Sequence, residues 1–228
     1  MNRSLVMATN ANWKVVGLFF ALIFLQLTLA HFELTMIALW LSLWVLVLAV
    51  FLFNLGKDKR SFVIPFVIVA LAAQLIIAFL FRFGILTTTH GLYYPDEFYY
   101  FKYGSYLANM WKQGNLPNLD DISALVGTNF GFHIYTAFNL LLFPDKILPV
   151  ISNLFFHVIT GIILFAFTYE NFGKRAAKIA FVLFLFNPHL IYWSIFLLKD
   201  TLLTFLLMTF VYSYTCIDKN KRHKTLFI

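Results

Sequence analysis

The sequence is poor in charged residues. Asp, Glu, Lys and Arg make up 12% of its 228 residues, whereas a typical soluble domain has about 25%. Apolar types make up 61%, and so few charges cannot cover the water-facing surface of a chain of this size. The composition therefore excludes an ordinary soluble globule and a disordered tail, and it indicates a helical membrane protein.

Cysteine and the common cofactor motifs are also scarce. Cys216 is the only cysteine, which excludes an intrachain disulfide and a cysteine-based zinc site. The sequence has no P-loop, no glycine-rich dinucleotide fingerprint and no HExxH motif. The sequence therefore contains no motif that indicates a bound cofactor. The net charge is +7, and in a membrane protein such basic residues indicate which loops are cytoplasmic. No nucleic-acid partner is expected.

Long apolar runs are what the sequence has in quantity. A helix needs about 20 mostly apolar residues to cross roughly 30 Å of hydrocarbon. Six stretches are predicted to span, the last slightly short: residues 13–30, 34–55, 62–86, 147–168, 178–198 and 201–217. The predicted fold class is all-α, a polytopic helical membrane protein with about six transmembrane helices and a long outer loop.

A seventh apolar stretch, residues 129–143, is ambiguous because it reaches only about 22 Å as a helix. Basic residues cluster near the N-terminus and in the loops 56–61, 170–178 and 218–224. All of these are cytoplasmic only if 129–143 lies on the outer interface instead of crossing. The inner side then carries a net charge of +9 and the outer side −2. We therefore expect a multi-pass plasma (inner) membrane protein with a cytoplasmic N-terminus.

The one long connection, residues 87–146, is predicted to lie outside and to carry interfacial helices. It is too aromatic to be disordered. Pro95 and the acids that follow it favour a helix that starts there, runs to Lys112 and stops near Gly114. Tyr99, Tyr103 and Tyr106 then share one face. Such aromatic rings can form a membrane-interface belt or can stack on the faces of sugars.

Three acidic residues in this region have two interpretations each. Asp96 and Glu97 can compensate the helix dipole, or one of them can take a proton from an incoming hydroxyl group. Asp200 follows Lys199 in a tight outer turn, which can simply be a solvated loop. Alternatively Lys199 meets a lipid phosphate while Asp200 faces the same cavity as Asp96.

Polar residues inside the predicted spans are the next feature. Asn187 and Pro188 should kink the fifth span, and Asn153 and His157 share one face of the fourth. Most such residues form hydrogen bonds between helices. With Gln74 they could instead line a polar path, which keeps a lipid or glycan transporter, or a flippase subunit, as an alternative.

The order of these features resembles the GT-C glycosyltransferases, particularly the bacterial family-39-like members related to protein O-mannosyltransferases and lipid A aminoarabinose transferases. The resemblance covers about residues 62–224. Four segments carry it: 94–100 (YPDEFYY), 127–143 (GTNFGFHIYTAFNLLLF), 171–177 (NFGKRAA) and 187–200, which begins with Asn-Pro and ends with Lys-Asp. In that family an acidic motif opens the outer loop and a second acidic position follows a later span.

The resemblance implies transfer of a sugar from a polyprenyl-phosphate donor to a glycan, lipid or protein acceptor at the outer face. It implies Asp96 as the base with Glu97 as the alternative, and Asp200 as a second acid that orients the acceptor or a divalent cation. Candidate substrate-binding residues are Lys199 and Arg82 for phosphate, together with Tyr99, Tyr100, Tyr103 and His90.

The chain also departs from the family. Two predicted spans within residues 1–61 precede the GT-C-like core at 62–224, and the chain ends after the sixth predicted span where family members continue. We expect a single membrane domain that is truncated at its C-terminus. A non-catalytic remnant of a transferase is a further alternative.

Overall fold

The computed structural model describes residues 32–82, 95–115 and 129–218. Helices and their connections make up these ranges, and no strand occurs within them. The predicted span at 13–30 and the candidate residue His90 lie outside the described residues. The chain divides into two compact units after Val47, and the candidate site belongs entirely to the second unit.

Eight helices occur in the described ranges. In chain order they are α1 (Phe32–Asn54), α2 (Lys57–Arg82), α3 (Pro95–Lys112), α4 (Phe130–Leu142), α5 (Ile147–Phe172), α6 (Lys174–Leu185), α7 (Pro188–Ser194) and α8 (Lys199–Asp218). The all-helical prediction is therefore confirmed for the described residues.

Three of these helices are long and apolar enough to cross a membrane. The qualifying segments are Thr35–Asn54 in α1, Lys57–Phe81 in α2 and Ile147–Phe172, which is α5. Helices α6 and α7 together pass the same test as one span that is bent by 54°. A helical membrane protein is thus supported, whereas the count of six spans and the outer placement of residues 87–146 remain predictions.

Helix α5 is the centre of the second unit. Of its most apolar segment, 89% is buried inside the protein, compared with 28% for the corresponding segment of α2. Helices α2, α4, α6, α7 and α8 all contact it. Because α5 is covered by protein on most sides, its polar residues Asn153 and His157 face other helices, as predicted for residues that join helices.

Helix α3 starts and stops where the sequence indicated. Pro95 opens it, acids occupy its first turn, and Gly114 ends it with a φ of 75° that glycine adopts without strain. The amide of Asn115 donates to the Met110 carbonyl at 3.0 Å, and that of Gly114 donates to the Trp111 carbonyl at 3.0 Å. These two bonds form a Schellman motif, which satisfies carbonyls that the helix end would otherwise leave open.

The predicted kink at Asn187 and Pro188 is confirmed, and the break in the helix is more extensive than the sequence indicated. Asn187 caps α7 by accepting the amides of His189 and Leu190 on its side-chain oxygen, which is the preferred role of asparagine at this position. Residues 195–198 after α7 are not helical, although all four are buried. The predicted continuous span at 178–198 is therefore two helices followed by a buried irregular stretch.

Candidate functional site

Two of the predicted acids lie around one buried phenol. Asp96 is exposed in the first turn of α3, and Asp200 is half-buried in the first turn of α8. Three causes raise the pKa of Tyr100 to about 12. Burial has the largest effect, followed by the negative charge of Asp96 and then by that of Asp200. Asp96 lies one helical turn before Tyr100 in α3, so the two residues share one face of that helix. Asp200, on α8, also contributes to the raised pKa of Tyr100.

A groove at the start of α8 combines one cation with apolar walls. It measures about 500 Å³ and is lined by Asn129, Gly131, Phe132, Lys199, Leu202, Leu203 and Leu206. The Lys199 ammonium donates a hydrogen bond of 2.6 Å to the side-chain oxygen of Asn129. This bond uses one of the three N–H donors of the Lys199 ammonium group. The group keeps its full positive charge, and Asp200 is the next residue in the sequence. The groove thus suits a molecule with an anionic head and an apolar tail.

Glu97, the alternative base, has a different environment from its neighbour Asp96. It is fully buried and forms an ion pair of 3.2 Å with Lys146. One of its carboxylate oxygens also accepts the backbone amide of Leu197 at 3.3 Å. These contacts join the start of α3 to the irregular stretch 195–198. Glu97 is therefore positioned to hold the fold around the site, and Asp96 is the acid with access to an incoming molecule.

Asn153 of α5 fixes the same irregular stretch from the other side. Its side-chain amide donates to the Phe196 carbonyl at 2.9 Å and to the Leu198 carbonyl at 3.0 Å. Both carbonyls lie outside any helix. The Phe196 carbonyl also accepts the Leu198 amide at 2.9 Å, so the Leu198 carbonyl is the one whose donor in the described residues is Asn153. Since Lys199 and Asp200 follow directly in sequence, this clamp determines where the two candidate residues lie.

His133 is a site residue that the sequence analysis did not identify. It is 2% exposed, and its ring lies 5.3 Å from the Tyr100 ring and 5.5 Å from the Tyr103 ring. Burial lowers the pKa of His133, and a backbone hydrogen bond with Tyr100 opposes this effect. Its Nδ1 atom has no hydrogen-bond partner within the described residues. A histidine in an apolar segment carries no distinctive sequence signal, so only the packing of α3 on α4 reveals it.

The remaining candidate residues are distributed as follows. Tyr99 stacks on Tyr103 with ring centroids 6.1 Å apart, and it is 48% exposed beside the site acid Asp96. Arg82 ends α2, but its side chain lies outside the described part of the protein. Within residues 32–82, 95–115 and 129–218, no group of three or more His, Cys, Asp or Glu side chains is arranged to hold a metal ion.

The polar residues of the transport alternative each form at least one hydrogen bond within the fold, and the buried Gln74 Oε1 and Asn153 Oδ1 atoms have no partner among the described residues. His157 receives a hydrogen bond of 2.9 Å on Nδ1 from the Gln74 amide, while its Nε2 contacts the Phe184 carbonyl at 3.4 Å. Asn187 caps α7 and Asn153 clamps the irregular stretch. A water-sized cavity of about 10 Å³ lies where His157 approaches Asp200. These contacts describe hydrogen bonding between helices.

No family model, no curated protein and no solved structure matches this chain. The arrangement of the site residues is therefore the observation that bears on function.

Proposed function

We propose that this chain is a membrane glycosyltransferase, or part of one, that moves a sugar from a polyprenyl-phosphate donor to a hydroxyl acceptor. One observation supports this most strongly. The carboxylates of Asp96 and Asp200 both act on Tyr100, and Lys199, the neighbour of Asp200, heads an apolar groove of about 500 Å³. The proposed site therefore combines a base on α3 with a cation and an apolar groove at the start of α8.

The proposed donor fits the groove by its two chemical parts. The leucines of α8 provide an apolar wall for the first isoprene units of the lipid. The ammonium of Lys199 can balance the negative charge of the phosphate as it leaves, which lowers the free energy of the transition state. Lys199 is already held by Asn129, so little side-chain entropy is lost when it meets the phosphate.

The proposed reaction assigns Asp96 as the general base. It accepts the proton of the acceptor hydroxyl while the oxygen forms a bond to the anomeric carbon and the bond to the lipid phosphate breaks. Such direct displacement inverts the anomeric configuration. Asp200 orients the acceptor, and the exposed ring of Tyr99 offers a face for sugar stacking. The acceptor is a glycan, a lipid or a protein at the outer face of the plasma membrane.

The test is sugar transfer in membranes that contain the full-length chain, with radiolabelled polyprenyl-phosphate hexoses and pentoses as donors. Asp96→Asn should lower the rate by about 100-fold or more, the usual contribution of a general base. Asp58→Asn is the matched control because this carboxylate is exposed at the start of α2, away from the site. Wild-type transfer by the Asp96→Asn variant would falsify the assignment of the base.

Assays of lipid or glycan movement and of donor binding, with the same variants, separate the two rival functions. Under the transport alternative, His157→Ala and Asn187→Ala impair lipid or glycan movement while Asp96→Asn leaves it unchanged. A non-catalytic protein tolerates all three substitutions and fails to bind the donor. If the chain is the proposed transferase, the Lys199→Gln substitution should weaken its binding of polyprenyl phosphate. The Lys112→Gln substitution, at an exposed position on α3, should leave this affinity unchanged.

A further inference from the structure

A second cluster of charges lies far along the chain from the candidate site, where three helix ends meet. The first turn of α2, the last turn of α5 and the first turns of α6 contact one another there. Six basic residues occupy these turns, and we refer to them as the basic patch: Lys57, Lys59, Arg60, Lys174, Arg175 and Lys178.

Aromatic rings hold two cations of the patch in place. The Lys59 ammonium lies 4.2 Å from the centre of the Tyr169 ring, and the Lys178 ammonium lies 4.4 Å from that of Phe62. The Phe165 ring packs against both of these aromatic rings, and its centroid lies 5.9 Å from that of Tyr169 and 6.0 Å from that of Phe62. Cation–π contacts of this kind are favourable by about 0.5–1 kcal/mol at exposed sites. The two ammonium groups therefore flank one aromatic cluster although they come from different helices.

The patch carries an excess of positive charge, since six basic residues stand against Asp58 and Glu170 in these helix ends. No carboxylate lies within ion-pair distance of its six cations among the residues that the structure describes. The nearest acids in sequence are Asp58 and Glu170, and Glu170 accepts a hydrogen bond from the Tyr212 hydroxyl at 3.4 Å. Lys174 also opens α6, whose first turn contains no acid, and cations are unfavourable at this end of a helix dipole. Among the described residues the patch therefore keeps a net positive charge, which an external anion can balance.

We propose that the basic patch binds the headgroup of an anionic phospholipid. The patch sits at the ends of α2 and α5, two helices that are apolar enough to cross a membrane, which places it at the depth of lipid phosphates. Apolar side chains accompany the cations: Phe172 is 69% exposed, and the Arg60 guanidinium lies 5.1 Å from the Phe53 ring. A lipid satisfies both components, since its phosphate meets the cations and its chains cover the rings.

This inference is independent of the proposed sugar transfer. The basic residues of the patch lie in segments that the charge distribution assigns to the cytoplasmic side, whereas the transferase site is expected on the outer side. A lipid bound here bridges α2, α5 and α6, so it stabilises the bundle from the end opposite to Asp96.

The experiment measures lipid binding to the purified full chain by native mass spectrometry, with phosphatidylglycerol and phosphatidylcholine of identical acyl chains. Phosphatidylglycerol should bind more tightly, and Lys174→Gln/Arg175→Gln should weaken it roughly tenfold or more, because each basic side chain near an anionic lipid surface contributes about a fivefold factor. Both residues are exposed, so this variant keeps the fold. Lys102→Gln/Lys112→Gln on α3 is the matched control and should bind phosphatidylglycerol like the wild type.

Three results would overturn the inference. Equal affinity for the two lipids removes the role of headgroup charge. An equal loss in the α3 control shows general surface attraction in place of a site. Displacement of phosphatidylglycerol by inorganic phosphate alone shows that the patch binds free anions and has no preference for lipid.

Discussion

Replacing Gly104 with alanine tests whether the close packing of α3 on α4 positions the candidate site. An added Cβ atom at residue 104 would lie 2.6 Å from the Cγ2 atom of Thr136 and 2.9 Å from its Cβ atom. Real Cβ atoms essentially never approach other heavy atoms this closely. Thr136 cannot easily turn away, because its hydroxyl donates to the Phe132 carbonyl at 2.9 Å and fixes the rotamer.

The magnitude follows from two opposing effects. Alanine in a helix interior is favoured over glycine by about 1 kcal/mol, so propensity alone predicts a more stable protein. Forcing an extra methyl group into a well-packed contact costs about 1–3 kcal/mol. Since the Cβ atom of Thr136 and the backbone nitrogen of Ala137, at 3.4 Å, both limit relaxation, we expect the upper part of this range. The net result is a loss of about 1–2 kcal/mol for Gly104→Ala.

Thermal unfolding of the purified protein in detergent measures this loss as a lower Tm. Gly131→Ala is the matched control, because Gly131 is also helical but has no atom within 4 Å of an added Cβ. It should raise the Tm slightly or leave it unchanged. Adding Thr136→Ser to Gly104→Ala removes the 2.6 Å contact and should restore part of the stability. A Tm for Gly104→Ala at or above that of the wild type would refute the close packing of the two helices.

Three further perturbations test the site by the same assay. Glu97→Gln breaks the ion pair with Lys146 and should lower stability by about 2–3 kcal/mol, whereas Asp96→Asn at an exposed position should leave the Tm unchanged. Asn153→Ala removes two hydrogen bonds to buried carbonyls and should lower stability by about 2 kcal/mol, with faster proteolysis after residue 194. Because burial lowers the pKa of His133 from its ordinary value of 6.5, the unfolded chain takes up a proton before the folded one does. Stability should therefore fall as the pH drops below about 6.5 and level off below the folded pKa, and His133→Phe should remove this slope.

Local features of the fold could be predicted from the sequence where one residue determines the backbone. Pro95 and Gly114 mark the ends of α3 because one favours a helix start and the other adopts a positive φ. Asn187 and Pro188 indicate the break between α6 and α7 for a similar reason. The sequence predicts a helix at 195–198, and the structure shows an irregular stretch instead. The apolar composition cannot distinguish the two, because the Asn153 side chain that donates to carbonyls of this stretch is distant in sequence.

The site was only partly predictable, because its contacts join residues that are distant in sequence. Local patterns indicate Asp96 and Asp200, and the position of Asp96 one turn before Tyr100 follows from α3 itself. The effect of Asp200 on Tyr100 depends on how α8 packs, which the sequence does not indicate. The pairing of Glu97 with Lys146 has no local signal, so the sequence could not distinguish this buried acid from its exposed neighbour. The same holds for Asn129, which holds Lys199 across 70 residues of sequence.

The irregular stretch at 195–198 also constrains the order in which the chain can enter a bilayer. The Leu198 carbonyl accepts its hydrogen bond from Asn153 only once α5 is in place, and an unsatisfied backbone group in hydrocarbon costs several kcal/mol. Because α5 precedes α6, α7 and α8 in the chain, it leaves the ribosome first and is available when these helices insert. A circularly permuted gene that delivers α6–α8 before α5 reverses this order, and its product is expected to insert poorly even though every native contact remains encoded.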